Sequence, residues 1–150
     1  MKLQRIFVCI AGVFFAVGFV ASQAGAGGNG VCDFEIEVNA LRAGAKTVSF
    51  GPNQSRDVTA KARILKGTAS SGTTIATTLK IDAVDGTQVI STNSTGPITL
   101  GVGKGGKGAK LSLAIPTCNA GFIEFRAQFY GTDSQNDFCE KTRTLRKECK

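Results

Sequence analysis

The chain has 150 residues, enough for one domain and too few for two of ordinary size. Hydrophobic residues make up 42% and charged residues 19%, a balance that supports a packed core and excludes a disordered tail. There is no His and the one Met is the initiator, so the commonest general base and the thioether metal ligand are missing. This composition disfavours most familiar catalytic schemes.

Residues 1–24 have the features of a secretory signal peptide. Lys2 and Arg5 form a basic start, residues 6–21 carry no charge, and small residues follow. The small side chains predict cleavage after Ala24 or Ala26, within or just before a flexible Gly-rich segment at 25–31. The alternative is an uncleaved membrane anchor, because the apolar run approaches the length that spans a bilayer. We expect an exported protein, secreted or periplasmic, that meets a membrane only through its uncleaved precursor.

The mature chain is basic. Removal of residues 1–24 takes away Lys2 and Arg5 and leaves 16 basic and 11 acidic residues, a net charge of +5. A modest excess of this kind suits a protein partner, an anionic glycan or an envelope polymer. Because no more than two basic residues are consecutive, we do not expect specific binding of nucleic acid. The oligomeric state stays open.

Apolar residues alternate with polar ones from residue 33 onward, which predicts half-buried strands. The first strand has Phe34, Ile36, Val38 and Ala40 on one face. Later sets are Val48 and Phe50; Val58, Ala60, Ala62 and Ile64; Ile75, Thr77, Leu79, Ile81 and Ala83; 88–90; Ile98 and Leu100; Leu111, Leu113 and Ile115; and Ile123, Phe125, Ala127 and Phe129. The last strand, 138–149, is polar, as an edge strand is.

Turn sequences separate these strands. Gly51-Pro52-Asn53 suits a turn before the strand at 58–64, and Asp85-Gly86 predicts a hairpin. Turns at this spacing, with no convincing helix, predict an all-β domain over residues 32–150, an antiparallel β-sandwich of seven to eight strands.

Two stretches carry a resemblance to a known architecture. Residues 48–62 read as an extended piece, a turn and a strand that opens the second hairpin, and residues 98–113 read as strand, Gly-rich loop and strand. In this order of elements the chain resembles immunoglobulin-like or fibronectin-type modules of bacterial surface and secreted proteins. The resemblance implies a fold and carries no function with it.

The mature chain keeps four cysteines, Cys32, Cys118, Cys139 and Cys149. An even number in an exported protein predicts two disulfides, whereas a zinc site is disfavoured without His or a C-x-x-C pair. Spacing alone allows three connectivities. If 121–130 and 138–149 form the last hairpin, opposed residue numbers sum to about 267–269, which brings Cys149 to Cys118. The immunoglobulin-like resemblance places the first strand parallel to the last and so implies Cys32 with Cys139.

A Gly-rich stretch at 101–108, GVGKGGKG, comes close to a phosphate-binding loop. Gly108 stands where the motif needs a hydroxyl, and a strand follows where the motif needs a helix. We therefore interpret the stretch as a flexible surface loop. Together with a modest cationic patch on the last hairpin, it predicts a surface for an anionic partner formed by Lys104, Lys107, Lys110, Arg126 and Arg143.

Carboxylates offer the remaining candidates for chemistry. The pairs are Glu35 with Glu37, Asp82 with Asp85, and Asp133 with Asp137. The first pair shares an exposed strand face, and the Asp pairs suit turns, where Asp bonds its own backbone. A weak cation site at 133–137 is the sharper alternative. Serine has no His to activate it, and the sequons at Asn53 and Asn93 stay unassigned.

The sequence therefore predicts a non-enzymatic binding or structural module of the cell envelope, with no cofactor and no metal. The alternative is a secreted inhibitor or effector that presents a cationic loop to an acidic enzyme or glycan.

Overall fold

The computed structural model describes residues 32–44, 51–103 and 105–149. Within these ranges the chain forms seven strands: β1 Ile36–Ala43, β2 Gln54–Ile64, β3 Thr74–Asp85, β4 Gln88–Gly101, β5 Lys107–Ile115, β6 Phe122–Thr132 and β7 Phe138–Glu148. None of the described residues belongs to a helix that could cross a membrane. The expected signal peptide, the segment at 25–31, and Val48 with Phe50 lie outside the described residues.

The strands form two antiparallel sheets, one in the order β1-β2-β5 and the other in the order β4-β3-β6-β7. The predicted all-β sandwich is confirmed. Immunoglobulin constant domains also pair their first, second and fifth strands and their third, sixth and seventh, but place the fourth beside the fifth. Here β4 pairs with β3 instead. Membership of that family stays a prediction.

The core lies between the inward faces of the two sheets, because alternate side chains of each strand point to the same side. The largest fully buried side chains are Phe125, Phe129, Ile64, Leu79, Ile81, Leu100, Leu113, Ile115, Ile123, Val58 and Val84. This confirms the alternation predicted for β2, β3, β5 and β6. Phe125 and Phe129 are buried core residues, as the alternation predicted.

The predicted face of β1 is wrong beyond Val38. A β-bulge lies between Val38 and Ala40, so that Ala40 is opposite the outward Lys61, while Leu41 and Ala43 enter the core. A bulge adds one residue to a strand and exchanges the faces of everything that follows it. The alternation of apolar and polar residues in the sequence does not predict the bulge.

Two loop predictions are also wrong. Residues 88–101 form one continuous strand, β4, where the sequence predicted two short strands separated by a polar loop. β4 is an edge strand and most of its side chains are exposed, so it has the polar composition of a loop and shows no clear alternation. The Gly-rich loop is shorter than predicted, because Lys107 and Lys110 belong to β5.

Both predicted disulfides are confirmed. Cys32 is joined to Cys139 and Cys118 to Cys149, with Cα–Cα distances of 5.5 and 6.4 Å. The hairpin register is not the predicted one, since Phe129 lies opposite Lys141 and Cys149 N donates to Gly121 O at 3.0 Å. Cys118 therefore lies in the loop before β6, beside the open end of the hairpin.

The edge strands of the two sheets meet along two seams. At the β1/β7 seam, the Cys32–Cys139 disulfide is followed by a Lys141–Glu35 ion pair at 3.3 Å and a bond from Arg143 Nη1 to Val38 O at 2.8 Å. The partner numbers rise together, so the two strands run parallel, as the resemblance implied. At the β4/β5 seam, Asn93 Nδ2 donates to Ser112 O at 2.9 Å.

Candidate binding faces

Asp85 is a buried carboxylate with a structural role. Its side chain accepts hydrogen bonds from Thr117 Oγ1 at 2.8 Å, Asn119 N at 2.7 Å and Ala120 N at 2.8 Å. The bonds from the Asn119 and Ala120 backbone hold the pKa of Asp85 below its usual value. The expectation that Asp85 bonds its own turn is wrong. It fastens the β5–β6 loop, a partner more than thirty residues away in sequence.

The loop at 133–137 uses its first carboxylate for its own backbone. Asp133 Oδ1 accepts hydrogen bonds from Gln135 N and Asp137 N, both at 2.9 Å. This is the turn chemistry that the sequence predicted. Asp133 also approaches the sulfur atoms of Cys32 and Cys139, but these two are joined in a disulfide and offer no thiolate to a metal.

An open depression of about 470 Å³ lies beside the Cys32–Cys139 disulfide. Asp33, Glu35 and Glu140 line it, and Lys141 enters it to pair with Glu35. The ion pair uses one of these carboxylates, and the depression opens widely to solvent. Its geometry assigns no reaction to these groups.

The predicted cationic surface is spread over different parts of the sandwich. Lys107 and Lys110 lie on β5 in the three-stranded sheet, whereas Arg126 points outward from β6 in the other sheet. Arg143 has the inward parity of β7 and bonds to β1 at the seam. Lys104 lies outside the described residues. Lys107 and Lys110 are three residues apart and point to opposite faces of β5, since Lys107 lies opposite the buried Ala62 and Lys110 lies opposite the outward Thr59. The described members of the predicted surface therefore do not form one cluster.

The outward face of the three-stranded sheet collects a different set of cations. We call this the basic face; its charged members are Arg42, Lys61, Arg63, Lys110, Glu37 and Asp57. Arg42, Thr59 and Lys110 form one row across the three strands, and Ala40, Lys61 and Gly108 form the next row. Lys61 is thus a diagonal neighbour of both Arg42 and Lys110, positions whose Cβ atoms lie within about 8 Å of each other in an antiparallel sheet.

Two of the four cations on the basic face have anionic partners. Arg63 pairs with Glu37 at 2.7 Å, and Lys110 pairs with Asp57 at 2.9 Å. The bond from Lys110, together with its positive charge, lowers the pKa of Asp57. Arg42 and Lys61 are exposed and form no ion pair with any described residue. The basic face therefore presents uncompensated positive charge at its centre.

The floor between these cations is made of small residues. Ala40, Thr59 and Gly108 separate the long side chains. At Gly108 even a Cβ would collide with Ala60 O, so the close strand pairing requires glycine there. A ligand can therefore come close to the sheet between the three cations.

The bulge in β1 explains why this face was missed in the sequence. With unbroken alternation from Ile36, Arg42 would point into the core; the extra residue at Asn39 turns it outward, opposite Thr59. The alternation of β2 did place Lys61 outward. The outward position of Lys61 was therefore predictable from the sequence. Its position beside Arg42 was not, because it depends on how β1 and β2 pair.

The outward face of the four-stranded sheet has a different charge pattern. Its charged members are Lys80, Arg126, Arg146, Asp82, Glu124, Glu140 and Glu148. Lys80 pairs with Asp82 at 3.0 Å, and Arg126 with Glu124 at 2.5 Å. Acidic residues thus slightly outnumber basic ones, the reverse of the basic face.

Comparisons with family models, with curated proteins and with solved structures give no match. Any functional assignment therefore depends on the faces themselves.

Proposed function

We propose that this chain is an exported, non-enzymatic binding module of the cell envelope whose basic face holds an anionic polymer. The observation that carries the proposal is the cluster of Arg42 and Lys61 beside Lys110 on a floor of small residues. A polyanion gains most from cations that have no internal partner, because it need not break an existing ion pair.

Two further features support a binding role in an oxidising compartment. Two disulfides tie the domain, and such bonds persist outside the cytosol. The carboxylates of Asp85 and Asp133, which were candidates for acid–base or cation chemistry, are engaged by backbone N–H groups. The alternative of an inhibitor with a cationic loop has less support, since Lys107 and Lys110 lie on a strand.

The proposal is tested by binding of the disulfide-intact domain to dextran sulfate and to polygalacturonate, a sulfated and a carboxylated polymer. We expect binding that weakens with added salt, because exposed charges are screened. The double variant Arg42→Glu with Lys61→Glu reverses both uncompensated charges. We expect it to bind at least about tenfold more weakly.

A matched control comes from the other outward face. The double variant Lys80→Glu with Arg126→Glu changes the net charge by the same amount, and we expect it to keep most of the affinity. Equal losses in the two variants would mean that net charge, not the basic face, controls binding. Failure of the unmodified domain to bind either polymer would also overturn the proposal.

A further inference from the structure

The outward face of the four-stranded sheet carries an aromatic corner that the basic face does not use. Phe138 on β7 is 49% exposed. Its ring centroid lies 6.4 Å from that of Tyr130 on β6, and the two planes are tilted by 34°. Tyr130 and Phe138 have the same outward parity, so both rings belong to one surface. They form a small apolar platform at the edge of a polar sheet.

Polar side chains continue this surface across the sheet. Thr78, Tyr130 and Glu140 lie in one row on β3, β6 and β7. The adjacent row on the same face is Ser94, Lys80, Gln128 and Thr142. These rows combine hydroxyl, amide, ammonium and carboxylate groups, so hydrogen-bond donors and acceptors alternate at short intervals. Four strands span three inter-strand spacings, about 14 Å.

A glycine, Gly96, lies beside Thr78 at the β4 end of the row formed by Thr78, Tyr130 and Glu140. Gly96 lies in the irregular part of β4 that faces Thr78, between the pairs Thr77–Ile98 and Leu79–Thr95. A Cβ at Gly96 would come within 3.2 Å of Thr78 Cα and Oγ1. Gly96 therefore places no side chain over Thr78, and a ligand that stacks on Tyr130 can continue toward β4 at this point.

We propose that this face, from the Tyr130–Phe138 platform to β4, binds an uncharged oligosaccharide that lies across the strands. Sugar rings combine an apolar C–H face, which packs on aromatic rings, with hydroxyls that need closely spaced donors and acceptors. Lys80 and Arg126 are already paired with Asp82 and Glu124, and acidic residues outnumber basic ones on this face, so it offers a polyanion little. The inference is independent of the basic face.

The test is a titration of the disulfide-intact domain with three uncharged sugars, cellotetraose, laminaritetraose and tetra-N-acetylchitotetraose, monitored by NMR or calorimetry. We expect saturable binding of at least one of them, with nearly the same affinity at low and high salt. Phe138→Ala and Tyr130→Ala should each weaken that binding by at least about tenfold.

The matched control is Phe122→Ala. Phe122 has the same outward parity on β6 but lies at the other end of the strand, under the guanidinium of Arg146 at 3.4 Å. We expect it to bind the sugar like the unmodified protein, and thermal unfolding of each variant verifies that the sandwich is intact. Binding of none of the three sugars, or equal losses for Phe138→Ala and Phe122→Ala, would overturn the proposal.

The variant Arg42→Glu with Lys61→Glu separates the two proposals. We expect it to bind the uncharged sugar normally even where it no longer binds dextran sulfate. If it lost both ligands together, the aromatic corner would not be a separate site.

Discussion

The two seams of the sandwich are closed by different means. A disulfide, an ion pair and an arginine–carbonyl hydrogen bond cross the β1/β7 seam. At the β4/β5 seam an amide hydrogen bond joins described residues of the two strands, from Asn93 to Ser112. Both seams join the edges of the same two sheets, so the packing of the sheets alone does not explain the difference.

The position of the strands along the chain explains it. β4 and β5 are consecutive, and residues 102–106 already hold their ends together. β1 and β7 are the first and last strands, and the bonded cysteines Cys32 and Cys139 are 107 residues apart. The entropy lost when two distant points meet grows with the length of chain between them. Cross-links are therefore most useful at the seam that the chain does not itself connect.

The largest expected effect comes from removing the long-range disulfide. The double variant Cys32→Ala with Cys139→Ala should lose about 5 kcal/mol of unfolding free energy in the chain-entropy model. The Cys118–Cys149 disulfide closes a shorter loop, with a separation of 31 residues. The double variant Cys118→Ala with Cys149→Ala should therefore lose about 4 kcal/mol of unfolding free energy. Urea unfolding of both variants measures the difference. A larger loss for the second pair would contradict the assignment of the greater constraint to the β1/β7 seam.

The next prediction concerns Asp85, which holds the loop that carries Cys118. Asp85→Asn places an NH₂ group against backbone N–H donors, so we expect a loss of unfolding free energy larger than that of Arg143→Met. Because the folded-state pKa of Asp85 is lowered, its ionisation stabilises the native state above the unfolded-state pKa of about 3.9. This contribution disappears as the pH falls through the lower folded-state value.

The pH dependence is measured as the difference in stability between the unmodified protein and Asp85→Asn. Other carboxylates titrate in both proteins, and the difference removes most of their effect. We expect it to be largest near neutral pH and to shrink in acid. A difference that stays constant or grows in acid would show that the charge of Asp85 is not what holds the loop.

At the β1/β7 seam, Arg143→Met keeps most of the apolar stem and removes the bond to Val38 O. We expect a loss of about 1.5 kcal/mol in urea unfolding, because hydrogen bonds from charged groups are stronger than neutral ones. Lys147→Met is the matched control. Lys147 has the same parity on β7 but makes no hydrogen bond or ion pair with a described residue. If Arg143→Met and Lys147→Met lost the same unfolding free energy, the loss would come from removing a positive charge and not from the bond to Val38 O.

The smallest effect is expected at the β4/β5 seam. Asn93→Ala removes the hydrogen bond to Ser112 O, and water can replace it at this exposed position. We expect a loss of about 0.5 kcal/mol. If Asn93→Ala cost as much as Arg143→Met, the two seams would depend equally on side-chain bonds, and the comparison between them would fail.

Local pattern determined much of the fold. The alternation of Val58 to Ile64 and of Ile123 to Phe129 predicted the buried faces of β2 and β6 correctly, because a strand must bury every second side chain of a half-buried sheet. The cysteine pairing was also predicted correctly, although the hairpin register was not. The Cys118–Cys149 disulfide can form although the hairpin register differs slightly from the predicted one, because Cys118 lies in a loop and not on a strand. The faces of a strand are more sensitive, since a shift of one residue turns every side chain to the other side.

Tertiary structure alone decided the rest. The sequence by itself determined an all-β antiparallel sandwich, the presence of two disulfides and the outward position of Lys61, whereas the pairing of Cys32 with Cys139 followed from the immunoglobulin-like resemblance. The sequence did not determine the β1 bulge that turns Arg42 outward, the distant loop that satisfies Asp85, or the bond from Arg143 to β1 at the seam. Each depends on a partner from another strand or loop. Such a partner leaves no periodic signal in the sequence, because only folding brings the two residues together.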